Sequence, residues 1–453
     1  MVQLVRSGSR RIIDIVLRLT IYSIGKRSDY RRRLRASYES WEVQVLNAND
    51  ATLSSEAIAT DVTTWVRRTW DPDLTLAQWW HELAIAGYSV PHWPTSWFGR
   101  GWSRTHSLAV HRTLRSLNVP GPPAGLGIML AGPTILEHGT DDQKRRFIPD
   151  IVDGRSNWCQ LFSEPGAGSD LASLQTRAVK DESSWVVHGQ KVWTSNGQLA
   201  DHGMLLARTN PDAPAHHNIS WFAIEMDQPT IDVRPLREMT GRSLFTEVFL
   251  DGALTSDENI VGDLHEGWPV ARTTLMNERV GLGGGGGAVG AVPGERGGML
   301  TSRAGDSVRM KSTGPSSGTA LAMRGRAYDE LAAFAKTASP LTRLVRDQLV
   351  TLYGLERLAH LSQQRAQAEG SKSALGRSGG SIGKLLSSRC TQVAREVGMS
   401  MIGSKGMLWA GDRSPAGVIQ EQCLFSPAVS IYGGTDQVQK NILAERVLGL
   451  PRS

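Results

Sequence analysis

The stretch Cys159-Gln160-Leu161-Phe162-Ser163-Glu164-Pro165-Gly166-Ala167-Gly168-Ser169-Asp170 stands where the chain changes its hydrophobic period. Upstream, from 38 to about 151, apolar residues recur at helical spacing, as in Trp79, Trp80, Leu83 and Ala86. Gly139 closes one helix there, and Thr140 caps the next. Downstream, 204–207, 219–224 and 246–250 are short apolar runs that read as strands, and 184–193 reads as strand, turn, strand. Helical patterning returns over 268–279, about 328–368 and 437–448. The order is helices, a compact antiparallel β domain, then helices, an α+β multidomain chain. Within the opening stretch, Gly166 and Gly168 permit close backbone approach to a ligand, and Ser163 and Ser169 add hydroxyls. A purely structural loop at a domain edge fits the same residues.

The chain has 453 residues, which suits two or three domains, with 40% apolar and 21% charged residues. These values exclude a disordered or fibrous protein. No apolar run is long enough for a membrane-spanning helix. Three single cysteines, Cys159, Cys390 and Cys423, exclude a disulfide scaffold or Cys-rich metal site and suit a reducing, cytoplasmic setting. The net charge of +6 is concentrated at one end: ten Lys/Arg against two Asp in residues 1–35 give +8, leaving −2 for the rest. The body therefore lacks the basic excess of a nucleic-acid binder. The arm, 1–37, reads as a frayed extension, an amphipathic membrane-surface helix or a targeting peptide.

Residues 283–320 are rich in Gly and Ser, and the row Gly283 to Gly287 would cost a helix about 1 kcal/mol per residue. A long mobile connection is expected over 284–318. Residues 281–286 formally satisfy G-x-G-x-x-G, but a helical segment precedes them where a dinucleotide fold needs a strand.

The opening stretch, with Gly189-Gln190-Lys191-Val192-Trp193-Thr194-Ser195-Asn196-Gly197, resembles the flavin-binding signatures of the acyl-CoA dehydrogenases. So do residues 139–144, 237–241, the tail Ile431-Tyr432-Gly433-Gly434-Thr435-Asp436-Gln437-Val438-Gln439, and 444–449. The resemblance covers about 38–453 in family order. It implies an N-terminal α-helical domain (38–155), a middle antiparallel β-barrel (156–264) and a C-terminal four-helix bundle (265–453). It further implies FAD, an acyl-CoA substrate, an electron-transfer flavoprotein as acceptor, and a dimer or tetramer of like or unlike subunits.

Carried over by position, Phe162, Ser163, Gly168 and Ser169 line the flavin and the pantetheine arm. Trp193 lies against the isoalloxazine, and Ser195 offers its hydroxyl toward flavin N5; a core aromatic is the bland alternative for Trp193. Thr435 and Gln437 touch the dinucleotide. Many family members carry a catalytic Glu directly after the tail Tyr. Here that position is Gly433, which cannot take a proton. Some branches place the carboxylate on the first helix after the barrel, and Met276-Asn277-Glu278-Arg279-Val280-Gly281 resembles those. Glu278 is therefore the candidate base, against a solvated helix Glu. Arg279 is a substrate-side arginine or a structural ion pair. Asp436 is a rival carboxylate. The implied reaction is α,β-dehydrogenation to a trans-2-enoyl-CoA, with bulky acyl groups suggested by this branch and by the room beside Gly433. Alternatives are a subunit of a hetero-oligomer with shared sites, a flavin oxidase or monooxygenase, and a non-catalytic acyl-CoA binder.

Overall fold

The computed structural model describes residues 53–283, 299–309, 327–337, 341–369, 373, 376, 378–409 and 415–451. The basic arm 1–37, with its membrane and targeting readings, lies outside the described residues. Among those described, no helix is long and apolar enough to cross a membrane.

The N-terminal helices begin on side-chain caps. Ser54 accepts from the Ala57 N–H at 3.1 Å to start α1 (Ser55–Thr69), and Thr75 and Gln78 cap each other to start α2 (Leu76–Ile85). Ile58, Val62 and Val66, spaced by four, meet Trp79, Trp80 and Leu83 of α2 and Val110 and Leu114 of α3 (Arg104–Ser116) in one core. Buried Trp79 and Trp80 donate their indole N–H groups to the carbonyls of Pro120 (2.9 Å) and Gly121 (3.0 Å), which pins the turn beyond α3. A π-helical turn (Gly127–Ala131) runs into α4 (Gly132–His138). Thr140 then caps α5 (Asp141–Val152), as expected.

The middle sheet holds β1 (Trp158–Leu161), β2 (Arg177–Asp181), β3 (Ser184–Ser195), β4 (His202–Arg208), β5 (Ile219–Glu225), β6 (Ile231–Leu236), β7 (Phe245–Ser256) and β8 (Ile260–Val261). Its order is β6-β7-β3-β2-β4-β5-β8, with β1 beside β4. Among the described residues β6 and β8 remain edges, so the sheet is not closed and "barrel" describes it only loosely. Pairing is antiparallel except where β4 meets β1 and β2. β3 is a single strand and not the expected strand, turn, strand. Gly189, which suggests a turn, instead lets β3 press against Thr176, where any Cβ would collide. The register slips at Val187/His188 and again between Lys191 and Thr194.

The C-terminal helices are α6 (Gly267–Gly283), α7 (Ala304–Arg309), α8 (Tyr328–Thr337), α9 (Arg343–Glu369), α10 (Gly379–Ile402), α11 (Pro415–Val429) and α12 (Asp436–Arg446). The long α10 packs against α6, α9, α11 and α12 and forms the centre of this helical domain. The expected mobile connection over 284–318 is corrected for its middle part. Residues 299–309 are packed onto the N-terminal helices, with Leu300 and Ala304 inside their core. The backbone N–H groups of Leu76 and Ala77 donate to the carbonyls of Ser302 (2.8 Å) and Leu300 (3.1 Å), and Ala304 donates to Leu74 (2.8 Å). The cause is a small apolar set, Met299, Leu300 and Ala304, set among glycines. The flanks 284–298 and 310–318 lie outside the described residues.

Candidate active site

Strand alternation places the first site residue. Cys159 and Leu161 of β1 are fully buried in the sheet core, so Gln160 between them points the other way, toward α6. Beyond β1, Phe162 is buried, and the chain turns tightly as Glu164 and Ala167 exchange backbone hydrogen bonds of 3.0 and 3.1 Å. One buried ion pair rivets this loop to β3. Glu164 accepts from Lys191 Nζ at 2.8 Å and from the N–H groups of Gln175 (2.6 Å) and Thr176 (2.9 Å). Lys191 also donates to the Phe162 carbonyl at 3.1 Å, and Val192 N–H donates to the Ser163 carbonyl at 2.9 Å. Burial lowers the Lys191 ammonium to about 8 in spite of its partner. Burial pushes the Glu164 carboxyl up, but Lys191 and the surrounding donors outweigh it, leaving it below the usual range.

The second register slip of β3 turns Trp193 outward. Its φ is +63°, a left-handed conformation costly for a bulky residue, and it is 57% exposed, so it is no core aromatic. Its ring stands edge-on to Phe245 at 5.8 Å, and Ser195, half-buried, pairs with Phe245 across β7. Gly168 and Ser169 are exposed, and a Cβ at Gly166 or Gly168 would meet nothing. A flat apolar wall, a hydroxyl two residues on, and an open glycine loop fit an aromatic, phosphate-bearing cofactor of the flavin kind.

Helix α6 carries Glu278 and Arg279. It is seated by Thr274–Thr134 (3.0 Å) and Thr273–His138 Nε2 (2.8 Å), and Gly267 lies against the Ser220–Trp221 backbone. Glu278 is half-buried and not a solvated helix residue; Gln160 Nε2 donates to its Oε2 at 3.4 Å. Burial raises its carboxyl above the ordinary Glu value, opposed more weakly by Gln160 and Arg279. Arg279 passes close to Gly380 at the start of α10 and lies near Arg446, with its guanidinium lowered chiefly by burial.

The tail meets the Trp193 wall through Phe245, which packs with Phe425, Val429 and Tyr432. Gly433 and Gly434 have φ of +65° and +84°, and a Cβ at Gly434 would collide with the Gln439 carboxamide. That carboxamide donates to the Gly433 carbonyl at 3.0 Å. Thr435 accepts from Val438 N–H as the cap of α12, and Gln437 is exposed on its first turn. Asp436 accepts from Ser388 (2.8 Å) and from buried Lys384 (3.2 Å), an occupied ion pair and no free base. Two contacts thus join the predicted residues. Gln160 links Glu278 to the strand entering the 162–169 loop, and Phe245 links the tail to Trp193 and Ser195. A groove of about 1150 Å³ between the start of α5 and the sheet, bordered by Gln143, Lys180, Trp185 and His265, contains none of them.

Three family models match in the order of these units: acyl-CoA dehydrogenase N-terminal domain over 47–155, middle domain over 159–252 and C-terminal domain over 315–448. Acyl-CoA dehydrogenase IpdE1 of Mycobacterium tuberculosis is 36% identical over 380 residues, 83% of this chain and 88% of IpdE1. The chain belongs to the acyl-CoA dehydrogenase family. Acyl-CoA dehydrogenase FadE34 of the same organism is 39% identical over 370 residues, 82% of this chain. The chain spans about half the length of FadE34, with 46% of it covered. Among solved structures, the Tcur3481-Tcur3483 steroid ACAD matches with TM-score 0.64 at 23% identity, covering 88% of this chain and 97% of that one. The ChsE4-ChsE5 complex from Mycobacterium tuberculosis matches with TM-score 0.63 at 24% identity, over 88% and 97%. At these identities the structures show the shared fold.

The family motifs locate the loop, the wall and the tail. They contain Gln160 and Gln439 without giving either a role, and they do not include Phe245 or Lys384. Period-two alternation along β1 signals Gln160; the others depend on contacts between segments far apart in sequence.

Proposed function

We propose that this chain is an FAD-dependent acyl-CoA dehydrogenase that converts an acyl-CoA to its trans-2-enoyl-CoA. The observation that carries the reading is Glu278, half-buried on α6, its carboxyl raised by burial and bonded to the strand that feeds the motif loop. Phe162, Ser163, Gly168 and Ser169 would hold the cofactor and the pantetheine arm, Trp193 and Ser195 would face its ring, and Thr435 and Gln437 would contact it from the tail. When bound, FAD supplies the acceptor for the hydride leaving substrate Cβ. Backbone N–H near Gly433–Gly434 would hydrogen-bond the thioester carbonyl and acidify the α-carbon. Glu278 would take the α-proton, and burial raises its carboxyl above the ordinary Glu value, the direction a general base requires. Arg279 would sit on the substrate side. Without a side chain at 433, a bulky acyl group is favoured, and an electron-transfer flavoprotein would receive the electrons. Assembly with another subunit, like or unlike, is supported by exposed Leu344, Val350, Tyr353, Leu358 and Leu361 on α9.

The test is an absorbance spectrum of the purified protein, followed by anaerobic bleaching with a panel of acyl-CoAs. Glu278→Gln should keep the yellow flavin and lose α-proton exchange; near-normal turnover would refute the assignment. Colour gained only on co-expression with a paralogous subunit would favour shared sites. Rapid reoxidation by air would favour an oxidase, and acyl-CoA affinity without flavin would favour a binder.

A further inference from the structure

We infer that Gln160 is the positioning residue of the proton-transfer step: its carboxamide holds Oε2 of Glu278 and leaves Oε1 to receive the substrate proton. The inference rests on the reading of Glu278 as base. Gln160 stands on a strand whose neighbouring residues, Cys159 and Leu161, are fully buried, so its backbone is held by the sheet core and not by a loop. Its Nε2–H donates to Glu278 Oε2 across 118 positions of sequence, at 3.4 Å. A carboxamide carries no charge and does not titrate, so it orients the carboxylate at any working pH. It also favours the ionised form, which is the form that can accept a proton. The opposing influence is burial, which favours the protonated form.

Other groups facing this carboxylate do little of this work. Arg279 follows on the same helix, and its charge also favours ionisation. From α4, His138 is engaged with Thr273. From α10, Gly380 lies beside Arg279 and carries no charge, and Arg446 of α12 and Arg272 of α6 act on Arg279. Gln160 is thus the neutral donor that sets the direction of the base and partly offsets the effect of burial on its acidity.

The test uses the full flavin-loaded chain with Gln160→Met, which keeps length and loses the donor, and Gln160→Glu, which adds a like charge. The readout is the pH dependence of acyl-CoA α-proton exchange into D₂O without an electron acceptor. In Gln160→Met, the acid limb should move upward, slowing exchange roughly tenfold on that limb with recovery at higher pH, because a hydrogen bond to a charged group is lost. Gln160→Glu should move the limb further, since two carboxylates resist joint ionisation. In the flavin-free protein, the carboxyl infrared band that Glu278→Gln removes should titrate at higher pH in Gln160→Met. An unmoved limb, or exchange lowered equally at every pH, would overturn the inference while leaving the base in place. Normal exchange in Glu278→Gln would overturn the base and this inference with it. If Gln160→Met sheds its flavin, the infrared titration of the apoprotein and the Gln160→Glu profile still decide.

Discussion

Lysine 191 offers the sharpest test of how the 162–169 loop is held. Its side chain is fully buried, and its Nζ binds both Glu164 and the Phe162 carbonyl. Lys191→Met keeps much of the volume and leaves Glu164 as a buried charge without its cation. Removing one partner of a buried pair generally costs about 3–5 kcal/mol. Glu164 keeps the N–H groups of Gln175 and Thr176, so the lower end, about 3 kcal/mol, is expected here. The double variant Lys191→Met/Glu164→Gln should cost less than the sum of the singles by at least about 1 kcal/mol, the signature of direct coupling. Equilibrium denaturation, read by tryptophan emission with flavin retention in parallel, measures both. pH adds a second check. The folded chain releases the Lys191 proton near 8, the unfolded chain near the ordinary 10.5. Between these values the unfolded state binds more protons, so wild type should gain stability on Lys191→Met as pH rises. A Lys191→Met protein within about 1 kcal/mol of wild type that retains its flavin would refute the account.

Other outcomes follow from the same geometry. The Glu278 carboxyl is raised in the folded chain, so the folded state binds more protons above 4.5 and loses stability as pH rises toward its folded pKa; Glu278→Gln should remove that slope and melt higher than wild type at neutral pH, by differential scanning calorimetry. Leu300→Ala should cost about 2–3 kcal/mol and expose the 299–309 segment to limited proteolysis, because Leu300 is buried among the N-terminal helices. Gly434→Ala meets both a left-handed φ and the Gln439 carboxamide; about 1–3 kcal/mol of destabilisation and weaker acyl-CoA binding, by calorimetric titration, are expected.

Local patterns are legible where their cause is local. Thr140 with Gln143 three residues on spells out a helix cap in the residues themselves, and the apolar runs of β4 and β5 spell out buried strands. Gly189 misleads because a glycine that admits a neighbouring strand looks, in sequence, like one that turns the chain. The 299–309 segment is hidden by its composition, since the surrounding glycines and serines outweigh Met299, Leu300 and Ala304, the apolar residues that anchor it. In the site, the family motifs name the loop, Trp193 and the missing tail carboxylate. They do not show that Asp436 is occupied by Lys384 and Ser388, or that Trp193 is turned outward by a bulge. Those facts depend on pairing across 52 and 48 positions for Asp436, and on the β3–β7 register for Trp193.

Strand β1 ties sheet packing to chemistry. Residues 159 and 161 expose no surface to solvent, while residue 160 reaches the helix through a bond of 3.4 Å, longer than the usual range. Enlarging Cys159 would overpack that side of the strand and press on the contact from Gln160. If Gln160 orients the base as proposed, Cys159 variants selected on melting temperature alone would lose rate while Glu278, Trp193 and Ser195 stay in place.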